Sequence, residues 1–348
     1  MSLGWWMTKT MTIKEIFKTA VREKASDVHL VANQGPILRI DGELKELKEK
    51  KISRKEMEQL IFSILSAEQK SDFLANKELD FGFENDDGAR FRVNVYLERD
   101  NMALVARIIS REIPVLKELD MPGVVEELLN LNQGLILVVG PTGCGKSTSL
   151  AAMVDYINKK YSKKIVTLED PIEYVFSSEK SIIVQRQLGT DMANFTEGLK
   201  HVLRQDPNVI MVGEMRDLET ISTAITLAET GHLVLATLHT YNAPQTIDRI
   251  IDIFPAHQQN QIRFQLSSIL AGVISQRLIP KEGGGRAAAR EVLINTPAVA
   301  NLIRERKIAQ IATSIETGSR EGMISFRRDL ERLYKEKIIS KEVMQSGL

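Results

Sequence analysis

Cysteine is almost absent: Cys144 is the only one in 348 residues. A single thiol excludes an intrachain disulfide and any cysteine-built zinc cage within one chain. Long apolar runs are missing too. The best uninterrupted stretch, residues 135–139, falls far short of the ~18 residues a membrane-spanning helix requires. No charge of one sign prevails either, since 46 Lys and Arg stand against 46 Asp and Glu. A protein built to grip a nucleic-acid backbone carries a basic excess somewhere, so no nucleic-acid partner is expected. The first ten residues hold two Trp but no basic segment leading into a long apolar one. They do not read as a secretory signal. Part of them reads as an added extension, with Met7 or Met11 the natural start, and a cytoplasmic protein is expected.

What is present is ordinary globular composition, 43% apolar and 26% charged, in a length that suits two domains. Residues 12–24 predict an amphipathic helix with Ile13, Ile16, Phe17, Ala20 and Val21 on one stripe. Short alternating strands follow at 27–31, 37–40 and 44–47, with an Asp41-Gly42 turn after the second. Ser53 caps a second helix, with Glu56 in the capping-box position. Strands return at 79–84, 91–97 and 103–109, making residues 1–110 an α+β domain. Residues 111–121, holding Pro114, are the expected linker and hinge. From Pro122, which opens a helix to 130, the pattern changes. Near-continuous apolar runs at 135–139, 164–168, 209–212 and 233–237 alternate with helices, which indicates a parallel sheet covered on both faces. Helices are expected at 258–272, 297–306 and 325–335. Residues 122–348 are therefore expected to form an α/β domain whose part from about 255 onward is helical, with Gly283–Gly285 a surface turn.

Between the apolar stretch 135–139 and a predicted helix lie Gly140, Pro141, Thr142, Gly143, Cys144, Gly145, Lys146 and Ser147, with Thr148 next. They fit G-x-x-x-x-G-K-[ST] in its required strand–loop–helix setting. Glycines let the backbone curl so that its N–H groups form an anion nest at a helix N-terminus. Lys146 adds a point charge for the β- and γ-phosphates, and Ser147 offers a hydroxyl to Mg²⁺. ATP with Mg²⁺ is the expected cofactor pair. Cys144, inside the nest, is expected to lean toward a thiolate, although a small residue that simply fits the loop explains it as well.

The run 209–212 leads through Gly213 to Glu214, a carboxylate at a strand end placed to act as general base on water. With glycine before it, Mg²⁺ must find its carboxylate elsewhere, and Glu169 or Asp170 at the end of 164–168 are the candidates. All three acids should lie at the carboxyl edge of the sheet, where ligands collect. His239, ending the run after 233–237, should reach the same edge and sense the γ-phosphate. His232 reads as a structural histidine, because its spacing to His239 is not that of a metal pair.

At this point the chain resembles a known family, the secretion ATPase superfamily of type II secretion and type IV pili. The similar stretches are Ala25-Ser-Asp-Val-His-Leu30, Arg90-Phe-Arg-Val-Asn94, Thr167-Leu-Glu-Asp-Pro-Ile-Glu-Tyr174, Arg204 to Asn208 with Glu214 to Asp217, and Thr230 to Thr240. The resemblance implies a hexameric ring, a homo-oligomer of chains with a PAS-like N-terminal domain and a RecA-like P-loop ATPase domain. It also implies ATP bound between the two domains, with Arg92 and Arg107 completing the catalytic set of Glu214, Lys146, Glu169 and His239. The absence of a four-cysteine insert, together with residues 247–255 and 273–277, is similar to the pilus-retraction branch. Residues 297–305 resemble that branch's A-I-R-N-L-I-R-E motif, with Ala300 where the motif has its first Arg. The implied function is an ATP-driven motor for type IV pilus retraction and twitching motility. It would work at the inner face of the cytoplasmic membrane against an inner-membrane platform protein. A pilus-assembly or type II secretion motor, and a RecA-like DNA translocase, are the alternatives.

Overall fold

The computed structural model describes residues 11–40, 42–109 and 112–346. The expected N-terminal extension, Asp41 of the expected turn and Arg111 of the expected linker lie outside the described residues. Contacts divide the chain into two compact units, Met1–Arg111 and Glu112–Leu348.

In the first unit, Thr12 and Glu15 form a reciprocal capping box that starts α1 (Ile13–Arg22). Ile13, Ile16, Phe17 and Ala20 are buried, whereas Val21, expected on the same stripe, is exposed. Strands β1 (Asp27–Leu30), β2 (Ile37–Ile40) and β3 (Glu43–Glu46) follow, then α2 (Arg54–Phe62), α3 (Ala67–Asn76), β4 (Glu78–Glu84), β5 (Arg90–Glu98) and β6 (Asn101–Ile109). The helix α3 was not expected from the sequence. Its Ser66–Gln69 capping box is the signal that marks it. The six strands form one antiparallel sheet in the order β3-β2-β1-β6-β5-β4. Val28, Leu30, Val93, Val95, Leu104 and Ala106 pack with Ile16, Phe17, Met57 and Ile61 into one core. Successive strand residues face opposite ways, so Asp27, Arg92 and Arg107 belong to the other face.

The second unit begins with a folded turn. Leu116 is buried, and Leu119 and Met121 pack beside it in the core of this unit, so the expected linker is built into the fold from Leu116 onward. Then come α4 (Val124–Leu129), β7 (Gly134–Val139), α5 (Lys146–Lys160), β8 (Lys164–Glu169), β9 (Ile182–Gln187), α6 (Phe195–Val202), β10 (Val209–Val212), α7 (Leu218–Glu229) and β11 (Leu233–Leu238). After them lie α8 (Ala243–Asp252), α9 (Gln259–Ile269), β12 (Leu270–Pro280), β13 (Arg286–Ile294), α10 (Pro297–Arg304), α11 (Ile311–Thr317), α12 (Phe326–Lys335) and α13 (Lys341–Ser346). The strands make one sheet, β13-β12-β7-β11-β10-β8-β9. It is parallel except for the last pair, β12 with β13. Every residue of β7 is buried: Leu135, Leu137 and Val139 face one core, and Ile136 and Val138 the other. Such two-sided burial is what its continuous apolar run requires.

The expectation of a wholly helical end from about residue 255 is corrected here. The helix expected to 272 stops at Ile269, and residues 270–294 form an antiparallel hairpin that extends the sheet. Gly283, Gly284 and Gly285 turn it with φ of +81°, +99° and +79°, a backbone region that favours glycine. Ala300, in place of the motif's Arg, is buried in α10. Behind the hairpin lies a charged network: Asp329 of α12 accepts from the Arg290 N–H at 2.7 Å and pairs with Arg332 at 2.8 Å. Arg332 also pairs with Asp120 at 2.6 Å, and the Arg290 side chain donates to the Asp120 carbonyl at 3.0 Å.

Candidate functional site

The phosphate loop leaves β7 and enters α5. Gly140, Gly143 and Gly145 have φ of +150°, +77° and +89°, so the loop's curl uses the freedom only glycine has. A Cβ on Gly140 would overlap the Gln276 carbonyl oxygen and the Cys144 Sγ. Lys146 begins α5 and is 9% exposed. Its Nζ donates to the carbonyls of Gly140 at 2.9 Å and Pro141 at 3.1 Å, inside its own loop. Burial pulls the Lys146 ammonium below its usual pKa, against the opposing pull of Cys144, Glu214 and Glu173. Thr148 Oγ1 lies 2.9 Å from the Tyr174 hydroxyl.

The expected thiolate is not found. Cys144 is 3% exposed, and burial pushes its thiol up despite the Lys146 charge and the hydrogen bonds around it. Cys144 is the small packed residue of the loop.

Parallel pairing brings the ends of β7, β11, β10 and β8 to one edge. There the structure brings four of the expected residues together. Glu214 Oε1 lies 3.0 Å from His239 Nε2, and His239 Nδ1 lies 3.3 Å from Thr142 Oγ1 and 3.5 Å from Lys146 Nζ. A carboxylate beside Nε2 fixes that nitrogen as the donor, leaving Nδ1 to accept from the hydroxyl or the ammonium. His239 therefore bridges the phosphate loop and Glu214. Arg216, which the sequence reading missed, donates to Glu214 Oε2 at 2.8 Å. Burial alone would raise the Glu214 carboxyl, but the Arg216 hydrogen bond and the neighbouring His239 outweigh it and hold the group below its ordinary range. Gly213 lets the strand ends close up, since a Cβ there would sit 3.2 Å from the Leu168 carbonyl oxygen.

Glu169 stands apart from that chain of contacts. It is 5% exposed and accepts from Thr167 Oγ1 at 2.6 Å and Gln185 Nε2 at 3.1 Å. Burial drives its carboxyl upward against those bonds. Asp170, next along, is exposed, and its charge is felt at Arg216. Among the described residues no cluster of three or more His, Cys, Asp or Glu could hold a metal. Ser147 and Asp170 offer hard oxygens, the donor set that suits Mg²⁺, which takes one or two protein ligands and fills the rest with phosphate and water. His232 Nδ1 donates to the Leu227 carbonyl at 2.9 Å, as a structural histidine does. In the N-terminal unit, Arg92 and Arg107 are Cα partners across β5 and β6. Arg107 Nε donates to Asp27 Oδ1 at 2.9 Å, and Arg92 lies 4.0 Å from Asp80.

A family model described as type II/IV secretion system protein matches residues 7–324. The chain is 45% identical over 332 residues to the type IV pilus retraction ATPase PilT of Pseudomonas aeruginosa, covering 95% of this chain and 96% of that protein. It is 41% identical over 339 residues to the twitching motility protein of Neisseria gonorrhoeae, covering 97% and 91%. A crystal structure of the pilus retraction motor PilT with bound ADP superposes with a TM-score of 0.91 at 46% identity, covering 97% of this chain and 96% of that one. Among the described residues no helix is long and apolar enough to cross a membrane.

Proposed function

The chain belongs to the type II/IV secretion system protein family, and on that premise we propose that it is an ATPase that powers retraction of a type IV pilus. The observation that carries the chemistry is the contact chain from Lys146 through His239 to Glu214 beside the phosphate loop. Loop amides and Lys146 hold the phosphates. Glu214, kept ionised by Arg216 and His239, takes the proton from the attacking water. His239, touching both Thr142 of the loop and Glu214, transmits whether the γ-phosphate is in place. Ser147 with Asp170 or Glu169 would hold Mg²⁺, which would supply charge neutralisation for the phosphates. Between the last two, exposed Asp170 suits the role better, because Glu169 is engaged by Thr167 and Gln185. Arg92 and Arg107 complete the site from the N-terminal domain, stabilising charge on the transferring phosphoryl group.

We place the pivot between the domains ahead of Leu116, since the chain from there on is part of the ATPase core. The working form is a hexameric ring at the inner face of the cytoplasmic membrane, pulling on an inner-membrane platform protein. The relatives named for retraction and twitching support that direction of work.

The test is surface piliation and motility in a strain lacking the gene, complemented with wild type or Glu214→Gln. Excess pili without surface motility, cured by wild type alone, is the expected result. Loss of pili on deletion would reverse the direction of work to assembly, and unchanged pili would remove the pilus altogether.

A further inference from the structure

Besides His239, the phosphate loop leans on a second side chain from outside its own motif, that of Gln276. It is 1% exposed and lies on β12, the strand paired with β7. Both ends of its amide are used: Nε2 donates to the Cys144 carbonyl at 2.8 Å, and Oε1 accepts from Ser149 Oγ at 2.8 Å. One partner is in the loop and the other in the first turn of α5. The loop also makes room for this residue, because Gly140 packs on the Gln276 carbonyl and a Cβ on Gly145 would sit 3.4 Å from Nε2.

The loop sequence leaves one thing undecided. Cys144 lies between Gly143 and Gly145, and glycine dihedrals turn at little steric cost. On its Gly145 side the Cys144–Gly145 peptide can therefore turn at little cost, and the side chain that holds the Cys144 carbonyl where it points is that of Gln276. A trans peptide aims its C=O and the following N–H in opposite directions. We propose that Gln276 is a positioning residue for ATP binding: by holding the Cys144 carbonyl on its own side, it aims the Gly145 N–H at the phosphates. Released, the same peptide could present an oxygen to the phosphate oxygens in place of a donor.

The inference rests on the loop as the nucleotide site, so wild-type ATP binding is measured first. Its absence would refute that reading and this inference with it. Gln276→Met keeps the volume and removes both hydrogen bonds. Its ATP dissociation constant is expected to rise about 10- to 100-fold, with a melting temperature lowered by about 2–12 °C for the unpaired buried groups and the protein still folded at assay temperature. Gln276→Glu separates positioning from packing. At low pH the introduced carboxyl is protonated and donates to the Cys144 carbonyl, and at high pH the carboxylate repels it. ATP affinity of this variant should recover as pH falls, a trend absent in wild type. Wild-type affinity in folded Gln276→Met, or a wild-type pH dependence in Gln276→Glu, would overturn the proposal. So would failure of both variants to fold, which would assign Gln276 to stability alone.

Discussion

Glu214→Gln is the sharpest test of the site. The substitution preserves size and leaves an amide oxygen to accept from His239 Nε2, 3.0 Å away. Arg216 loses its carboxylate partner, but its guanidinium is largely solvent-exposed and can turn to water. The fold and the loop atoms that hold phosphate are untouched. What goes is the base. A positioned general base contributes about 10²- to 10⁴-fold, which is about 2.7–5.4 kcal/mol of barrier at 1.36 kcal/mol per decade. Removing a negative charge near the γ-phosphate does not weaken binding, so the ATP dissociation constant should hold or tighten. Phosphate release at saturating Mg²⁺ and ATP, with equilibrium ATP binding alongside, reads both quantities. A kcat within about tenfold of wild type, at unchanged affinity, would refute Glu214 as the base. The wild-type pH profile checks the same logic. The ionised carboxylate is the active form and Arg216 and His239 hold its pKa low, so the acid limb of kcat should begin below the ordinary carboxylate range.

Other expectations follow from packing. Asp329→Ala removes the buried carboxylate that accepts from the Arg290 backbone N–H and pairs with Arg332, leaving that N–H without its acceptor. A buried donor left unsatisfied costs about 1–3 kcal/mol, which for a unit of this size lowers the melting temperature by about 2–12 °C. Calorimetry measures it, and a shift under about 2 °C would show that the network does not stabilise. Cys144, buried with its thiol pushed up, should resist iodoacetamide at neutral pH in the folded protein and react on unfolding. Mass spectrometry at intervals decides, and prompt full alkylation of native protein would contradict its burial.

The parallel sheet was legible because its strands carry continuous branched apolar runs, which only two-sided burial explains. The phosphate loop, Glu214 and His239 were legible because each follows such a run directly. The hairpin was not. Its second strand reads Arg-Ala-Ala-Ala-Arg-Glu before the apolar end, a composition with helical preference that pairing with β12 overrides. The half-exposed edge strand β9 lacks both a continuous run and a clean alternation. Gln276, Gln185 and Arg216 escaped notice for a related reason. Arg216 and Gln276 lie within stretches similar to the family, but similarity gives neither a role, and Gln276 meets Ser149 only because chain 127 residues distant folds back beside the loop.

The strand β12 lies between β7 and β13, and that order has a consequence for synthesis. As the chain emerges from the ribosome, β7 can pair on one side with β11, but its other edge stays open until residues 270–275 appear. An open edge made of Gly134–Val139 is apolar throughout, the kind of edge that recruits other chains. Every ATPase domain in production thus passes through a stage with its phosphate loop written but one wall missing. A stop codon anywhere between the loop and the hairpin would leave a sticky fragment rather than a smaller motor.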